Sequence, residues 1–355
     1  MHFWNSKRVL ITGHTGFKGS WLTTWLNLLG ADVSGISLAA LDGQSLYSCM
    51  APSLSIDSRE LNLCEKDKLE KAMLELNPEI IFHLAAQPLV KESISNPLET
   101  YQTNVIGTLN LLNAVRALES VKVIVVVTTD KVYSLSNREM ACPLKETHPL
   151  GGLDPYSSSK AAVELLTKSF YETYLKNHHT SMATARAGNV IGGGDWAKNR
   201  LLPDAVRAWS KDESLLLRMP YAIRPWQHVL DCLYGYLSFA EHLWSSTHTK
   251  FDTCNFGPEL ADCLTVDKVI TLASVHWPLA KVHALTDKSP SIESETLILD
   301  NSKAKQLLGV APIWNIYHAI DVTMNWYKGF LEGKSAFDLC LKDINSFMVD
   351  VSAQR

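Results

Sequence analysis

The chain has 355 residues, of which 46% are hydrophobic and 20% charged, and a formal net charge of −4. That length suits one large domain with a lobe, or two domains. The composition excludes a disordered chain, and the charge balance excludes a basic nucleic-acid binder and a polybasic membrane-surface protein. The seven cysteines (Cys49, Cys64, Cys142, Cys232, Cys254, Cys263 and Cys340) form no CxxC pair and match no zinc spacing, so no metal is expected. There is no run of 18 apolar residues and no signal-peptide layout in "MHFWNSKRVLITG". The expectation is a reduced, cytoplasmic protein without a membrane segment.

The predicted elements alternate from the start. "KRVLITG" (7–13) is an apolar strand, and "FKGSWLTTWLNLLG" (17–30) follows with helical spacing and Gly30 as its stop. Trp21 and Trp25 belong to the core by that spacing. "DVSGISL" (32–38) is a strand, "KDKLEKAMLEL" (66–76) a helix and "EIIFHLAA" (79–86) a strand in which His83 is read as packed. "PLETYQTNVIGTLNLLNAVRAL" (97–118) is a long helix opened by Pro97. "KVIVVVTT" (122–129) is a strand, "YSSSKAAVELLTKSFYETYLKN" (156–177) a helix and "SMATARAGNV" (181–190) a strand. Unbroken Val/Ile/Leu strands in a β-α repeat predict an α/β fold with a doubly wound parallel sheet, of Rossmann type. Beyond residue 190, Gly-, Pro- and Trp-rich loops alternate with helices such as "HVLDCLYGYLSFAEHLW" (228–244) and a pair within 301–330. The expected division is a dinucleotide-binding domain over 1–190, its sheet completed by segments near 225–260, and a smaller mixed α/β substrate-binding lobe over 191–355.

"TGHTGFKGSW" joins the first strand to the first helix and sets Gly13, Gly16 and Gly19 three residues apart. Glycine permits the tight turn and lets a pyrophosphate approach the helix N-terminus, where free N–H groups favour negative charge. A glycine triplet alone is a weak signal, but in the first β-α turn of a parallel sheet it points to a dinucleotide. Where a ribose-binding acid is expected stand Ser37 and Leu38, with Asp42 beyond them and no Arg nearby, so the strand end leaves NAD and NADP open. His14 and Lys18 add positive charge to the loop.

"YSSSK" places Tyr156 and Lys160 four apart on one helix face. A phenol, with a pKa of about 10, is a poor base at neutral pH, and a nearby ammonium is expected to lower that pKa. Such a pair takes a proton from an alcohol while hydride leaves its carbon. The strand before it ends in Thr128 and Thr129 and runs directly into Asp130-Lys131, at the sheet edge where open α/β sheets bind ligands. The charged pair is either a solvated strand end or part of the chemistry.

These motifs resemble the extended short-chain dehydrogenase/reductases, and among them the nucleotide-sugar epimerases and dehydratases. The resemblance implies that Gly13, Thr15, Gly16, Phe17 and Gly19 hold the cofactor. Leu84, Ala85 and Ala86 of "FHLAAQP", Asn104 of "TNVIGT" and Thr128 would border it, together with Tyr156 and Lys160. Thr129 matches the family's catalytic hydroxyl, which bridges the tyrosine and the sugar oxygen. Gln87, Asn189 of "RAGNVIGGGDW", Arg200 of "KNRLLPD", and Arg224 and His228 of "RPWQHVLD" are the expected substrate contacts.

Sugar 4,6-dehydratases carry Thr-Asp-Glu where this chain has Thr129-Asp130-Lys131, with Asp as acid and Glu as base. "TTDKVY", "GHTGFKGSWL" and "AGNVIGGGDWAKNRLLPD" are similar to the CDP-glucose 4,6-dehydratases, in which lysine takes the glutamate's place. The resemblance implies a hydro-lyase acting on CDP-glucose with NAD, in deoxysugar synthesis for a surface polysaccharide such as O-antigen lipopolysaccharide. NAD is preferred because the hydride returns within the same cycle. It also implies a homodimer, or a dimer of dimers, through helices 97–118 and 156–177. A nucleotide-sugar 4-epimerase is the alternative within enzymes. A non-catalytic NAD-binding scaffold is the alternative outside them.

Overall fold

The computed structural model describes residues 2–40, 45–134, 142–248, 250–284 and 296–354; Asp42 lies outside them. The strands in chain order are β1 (Arg8–Thr12), β2 (Asp32–Ser37), β3 (Asp57–Glu60), β4 (Ile80–His83), β5 (Val123–Val127), β6 (Ser181–Ala187) and β7 (Val190–Ile191). There follow β8 (Ser214–Leu217), β9 (Ile223–Pro225), β10 (Gln227–His228), β11 (Phe251–Phe256), β12 (Cys263–Thr265) and β13 (Lys281–Ala284). Seven of them form one all-parallel sheet in the order β11-β6-β5-β4-β1-β2-β3. The fold is therefore the doubly wound Rossmann type expected. The remaining strands form three two-stranded pairs, β7 with β10, β9 with β12 and β8 with β13.

The strand β5 shows how sequence makes the layers. Its side chains alternate between faces, as the period of a strand requires. Val123, Val125 and Val127 enter one apolar core, and Ile124 and Val126 enter another on the opposite face. The first core also takes Trp21, Trp25 and Leu22 from the helix Phe17–Leu28 and Leu233, Tyr236 and Leu237 from the helix Val229–Trp244. The second takes Leu69 and Met73 from Lys66–Leu76 and Leu111 and Val115 from Gly107–Val115. Each fully buried Val or Leu contributes about 1.5–3 kcal/mol.

One strand of the sheet, β3, was not foreseen, while β11 falls within the segments near 225–260 expected to complete it. Three of the four residues of β3 are exposed, so this polar edge strand has no apolar run to reveal it. The strand β11 pairs with β6 after a crossover of more than sixty residues, as its sequence positions show. The long helix expected over 97–118 is interrupted. Pro97–Tyr101 and Gly107–Val115 are α-helical, while Gln102–Ile106 is a π-helical segment. Tyr171–Leu175 is a second π-helical segment, closing the helix Pro155–Phe170.

Candidate active site

The strand order reverses direction around β1, which lies between β4 and β2. The crevice outside the carboxyl ends of β1 and β4 is thus the switch point where such sheets bind ligands. Gly13 ends β1 with φ of +78°, and a Cβ there would stand 2.7 Å from the Ala85 backbone nitrogen. A Cβ on Gly19 would stand 2.2 Å from the Gly13 carbonyl oxygen. Both positions therefore require glycine. Gly16 caps the helix Phe17–Leu28 without any side-chain hydrogen bond, and the first turn carries no acid. Its N–H groups are left for an anion, so this cradle fits a dinucleotide pyrophosphate.

The rest of the crevice is braced by protein groups. The Thr15 hydroxyl meets Ser37 Oγ at 2.6 Å and donates to the Leu38 carbonyl at 3.2 Å, tying the glycine turn to the end of β2. Phe17 is half-buried and its ring reaches the Gly192 backbone. Leu84 N–H donates to the Thr12 carbonyl and Ala85 N–H to Thr12 Oγ1; half-buried Ala86 follows in the same loop. Asn104, in the π segment, accepts from Gln87 N–H at 2.8 Å and donates to Ser159 Oγ at 2.8 Å. Its buried amide thus latches the loop after β4 to the helix bearing Tyr156. The Gln87 side chain folds back on its own loop, bonding Leu89 and Thr100. His83 bridges Thr12 and Thr108 at 2.7 and 2.8 Å, and burial pushes its pKa down to about 3. It is a packed neutral histidine.

The helix Pro155–Phe170 begins where the sequence says it must. Asp154 accepts from Ser157 N–H at 2.9 Å as N-cap, and Pro155 takes the first helical position. Tyr156 and Lys160 then point at the end of β5. The Tyr156 hydroxyl stands near Thr129, whose hydroxyl favours the phenolate. Lys160 Nζ donates to the Val127 carbonyl at 3.0 Å. The expected lowering of the phenol by Lys160 is not what this arrangement gives. Burial, the largest influence, pushes Tyr156 up to about 12, opposed by the Thr129 hydroxyl and the charge of Arg200. Lys160 itself is pushed down to about 8 by burial and then by the charge of Lys18.

Thr128, Thr129, Asp130 and Lys131 continue from β5. Thr128 Oγ1 donates to Glu164 Oε1 at 2.5 Å. Thr129 caps the short turn Asp130–Val132 and its hydroxyl donates to Asp130 Oδ1 at 2.9 Å. Asp130 is 2% exposed and its Oδ2 has no partner among the described residues. Gly188 faces that oxygen, and a Cβ there would lie 3.1 Å from it. Burial raises the Asp130 pKa, opposed in turn by Lys131, the Thr129 bond, Arg224 and Lys18. Lys131 is half-buried beside it. The charged strand end is therefore an enclosed carboxyl, not a solvated one.

The more distant candidates divide. Arg200 bonds Asp195 at 3.0 Å, and its charge acts on Tyr156. Arg224 is buried in β9, donates to the Ile223 carbonyl at 3.0 Å, and acts on Asp130. Asn189 is half-buried, and its carbonyl accepts from Gln227 N–H at 3.0 Å. His228 is not brought to this group. It caps the helix Val229–Trp244, its ring lies between Trp21 and Trp314, and burial lowers its pKa to about 3. His14 also departs from expectation. It packs against Gly35, bonds Ser58 at 2.8 Å, and is held neutral with its pKa lowered to about 4 by burial. Glu164 and Arg186 were not foreseen, although an arginine inside the apolar strand "SMATARA" demanded a buried partner.

Comparison with known proteins agrees with this architecture. A family model described as GDP-mannose 4,6 dehydratase matches residues 10–322. The chain is 39% identical over 352 residues to the CDP-glucose 4,6-dehydratase of Salmonella typhimurium, covering 98% of each chain. It is 24% identical to the UDP-glucose 4-epimerase of Mycoplasma pneumoniae, over 91% of this chain and 97% of that one. In fold it is similar to the UDP-glucose 4-epimerase of Stenotrophomonas maltophila, solved with NAD and a formylated UDP-arabinopyranose. The TM-score is 0.79 at 19% identity, over 92% of this chain and 99% of that one. With its motifs, its sheet and these matches in agreement, the chain belongs to the GDP-mannose 4,6 dehydratase family, among the extended short-chain dehydrogenase/reductases.

Proposed function

We propose that the protein converts CDP-D-glucose to CDP-4-keto-6-deoxy-D-glucose and water, with NAD as its bound cofactor. The substrate follows from the dehydratase relative that the chain matches end to end. Within the site, the reading is carried by Asp130, a buried carboxyl whose second oxygen is unpartnered. A 4-epimerase oxidises and reduces one carbon and has no proton to deliver from such a group. The loss of a hydroxyl group requires one.

NAD, when bound, would supply the hydride chemistry that the C4 oxidation and the C6 reduction need. The glycine cradle would hold its pyrophosphate, and Thr128 and Lys160 would border its reactive ring. Tyr156 removes the C4 hydroxyl proton, and the groups favouring its phenolate are Thr129 and Arg200. The ketone so formed acidifies C5, whose proton passes to Lys131, half-buried beside Asp130. Asp130, which burial keeps toward the acid form, protonates the C6 hydroxyl so that it leaves as water. Lys131 then returns its proton to C5. Tyr156 is left with one proton more than at the start and Asp130 with one fewer. The Thr129 hydroxyl donates to Asp130 and stands near Tyr156, so it is the group that would carry that proton back. Asn189, Arg200 and Arg224 would hold the nucleotide diphosphate; residues 1–190 carry the cofactor cradle and the reacting groups, and 191–355 supply most of the hold on the nucleotide.

The working form is a two-fold dimer. Leu98, Tyr101 and Ile106 on one long helix and Leu165 and Tyr174 on its neighbour are exposed apolar side chains. No helix among the described residues is long and apolar enough to cross a membrane. The product suits deoxysugar synthesis for a surface polysaccharide in the cytoplasm.

The test is incubation with CDP-, UDP- and dTDP-glucose separately, with and without NAD, reading the alkaline absorbance of a 4-keto sugar. A signal with CDP-glucose is expected. An epimerised sugar, or no reaction with any of the three, would sink the proposal.

A further inference from the structure

We infer that Glu164, held by Arg186, is a positioning residue for the dehydration, fixing the end of β5 against the helix that carries Tyr156 and Lys160. The inference rests on the reaction proposed above. Tyr156, Lys160 and Glu164 follow one another at four-residue spacing and share a helix face. Each meets a different residue at the end of β5. Tyr156 stands near Thr129, Lys160 bonds the Val127 carbonyl at 3.0 Å, and Glu164 accepts from Thr128 Oγ1 at 2.5 Å. The third contact is the one that ties down the residue just before Thr129 and Asp130.

The Glu164 carboxylate is saturated. Arg186 Nε donates to Oε1 and Nη2 to Oε2, both at 2.9 Å, and Thr184 Oγ1 donates to Oε2 at 2.7 Å. Such a bidentate pair fixes geometry as well as charge. Both residues are buried, at 3% and 4% exposure, so neither charge is screened by water. Arg186 Nη1 extends the brace, donating to Tyr133 Oη at 3.0 Å and to the Glu146 carbonyl at 3.2 Å. Tyr133 in turn donates to Asn255 Oδ1 at 2.5 Å on β11. The outermost strand is thereby linked to the turn that presents Lys131.

The pair has an electrical effect that mere packing would lack. Lys160 faces Lys18 from the first helix, His83 from β4, and Tyr156 and Glu164 from its own helix. Glu164 supports its ammonium form, while Lys18 opposes it. Replacing Glu164 by Gln keeps the shape, removes the charge that supports the ammonium and leaves Arg186 uncompensated in the same buried group. The Lys160 pKa then falls. The alkaline limb of the kcat profile, which requires the ammonium, moves to lower pH with it.

The experiment compares Glu164→Gln, Glu164→Gln/Arg186→Met and Thr128→Val with the parent protein. CDP-glucose turnover is followed across pH, and the Lys160 ¹³Cε shift is titrated in lysine-labelled protein, assigned with Lys160→Arg. Expected for Glu164→Gln are a loss of kcat of roughly 10²-fold, KM within about twofold, and both the limb and the Lys160 titration displaced downward. The double variant, which removes the uncompensated cation, returns the titration toward the parent's. Parental kcat, or a loss of kcat with limb and titration unmoved, overturns the inference. If Glu164→Gln does not fold, Thr128→Val decides, since it cuts the tether and spares the ion pair: a kcat loss with NAD affinity unchanged supports the inference, and parental kcat, or a loss that follows weakened NAD binding, overturns it. A parent protein silent with CDP-glucose defeats the proposed reaction, and the Lys160 titration still judges the pair.

Discussion

A carboxyl group with one hydrogen-bonded oxygen, one unpartnered oxygen and almost no water contact behaves as an acid more than as a charge. That is the state of Asp130. In the Asp130→Asn variant the shape stays and the proton donor goes. Water loss from the sugar is expected to fall roughly 10²–10⁴-fold, while exchange of the C5 proton with solvent, followed by NMR, persists. Turnover within about threefold of the parent would remove Asp130 from the mechanism. The sequence placed Asp130, Thr129, Tyr156 and Lys160 in one region, because a strand end and a four-residue helical spacing fix direction. It misjudged the phenol. Neighbouring charge can be guessed from spacing, but burial is set by everything that packs around a group, and burial outweighs charge at Tyr156. The same cause neutralises His14 and removes His228 to the tryptophan-lined core.

At the scale of elements, the two helices flanking the site carry a division of labour. Their inner faces supply Asn104, Tyr156, Lys160 and Glu164, all buried. Their outer faces expose Leu98 at 71% and Leu165 at 61%, side chains that a helix facing only water would not favour. Replacing Leu98 by Asp is expected to halve the mass seen by sedimentation velocity at micromolar concentration, because a buried unpaired carboxylate opposes association. A parent protein already sedimenting as a monomer would contradict the dimer. The helices themselves were legible from Pro97, from Asp154-Pro155 and from apolar spacing. Their π segments were not, because an extra residue per turn leaves composition unchanged. The edge strand β3 was equally hidden, since its polar residues pair through backbone alone.

Across the whole molecule, two buried carboxyls outside the site each contribute a pH-dependent share of the stability. Burial raises Asp231 and Asp343 to about 7 from an ordinary value of 3.8, and one oxygen of each is unpartnered. Between those values the folded chain keeps protons that the unfolded chain has released. The contribution of these two groups is therefore fullest near pH 4 and declines as pH rises toward 7, whereas the buried neutral His14, His83 and His228 cost stability as pH falls below 6.5. Asp343→Asn removes one such group. Its melting temperature is expected to exceed the parent's at pH 8, by a stabilisation of at most ~4 kcal/mol, and to match it near pH 4. An equal gain at both pH values would show that packing, not ionisation, was responsible.

The sequence by itself determined what depends on local order along the chain. The apolar strands, the glycine turn and the capped helix with Tyr156 and Lys160 each have a period or spacing that the backbone enforces. Together they identified the parallel sheet and the carboxyl-end crevice. Only the tertiary structure decided what depends on neighbours remote in the chain. The partnership of Glu164 with Arg186, the pairing of β11 with β6 and the enclosure of Asp130 by Gly188 join residues from separate segments. Burial and low dielectric act through such contacts: they raise Asp130, lower Lys160 and lock Glu164 to Arg186.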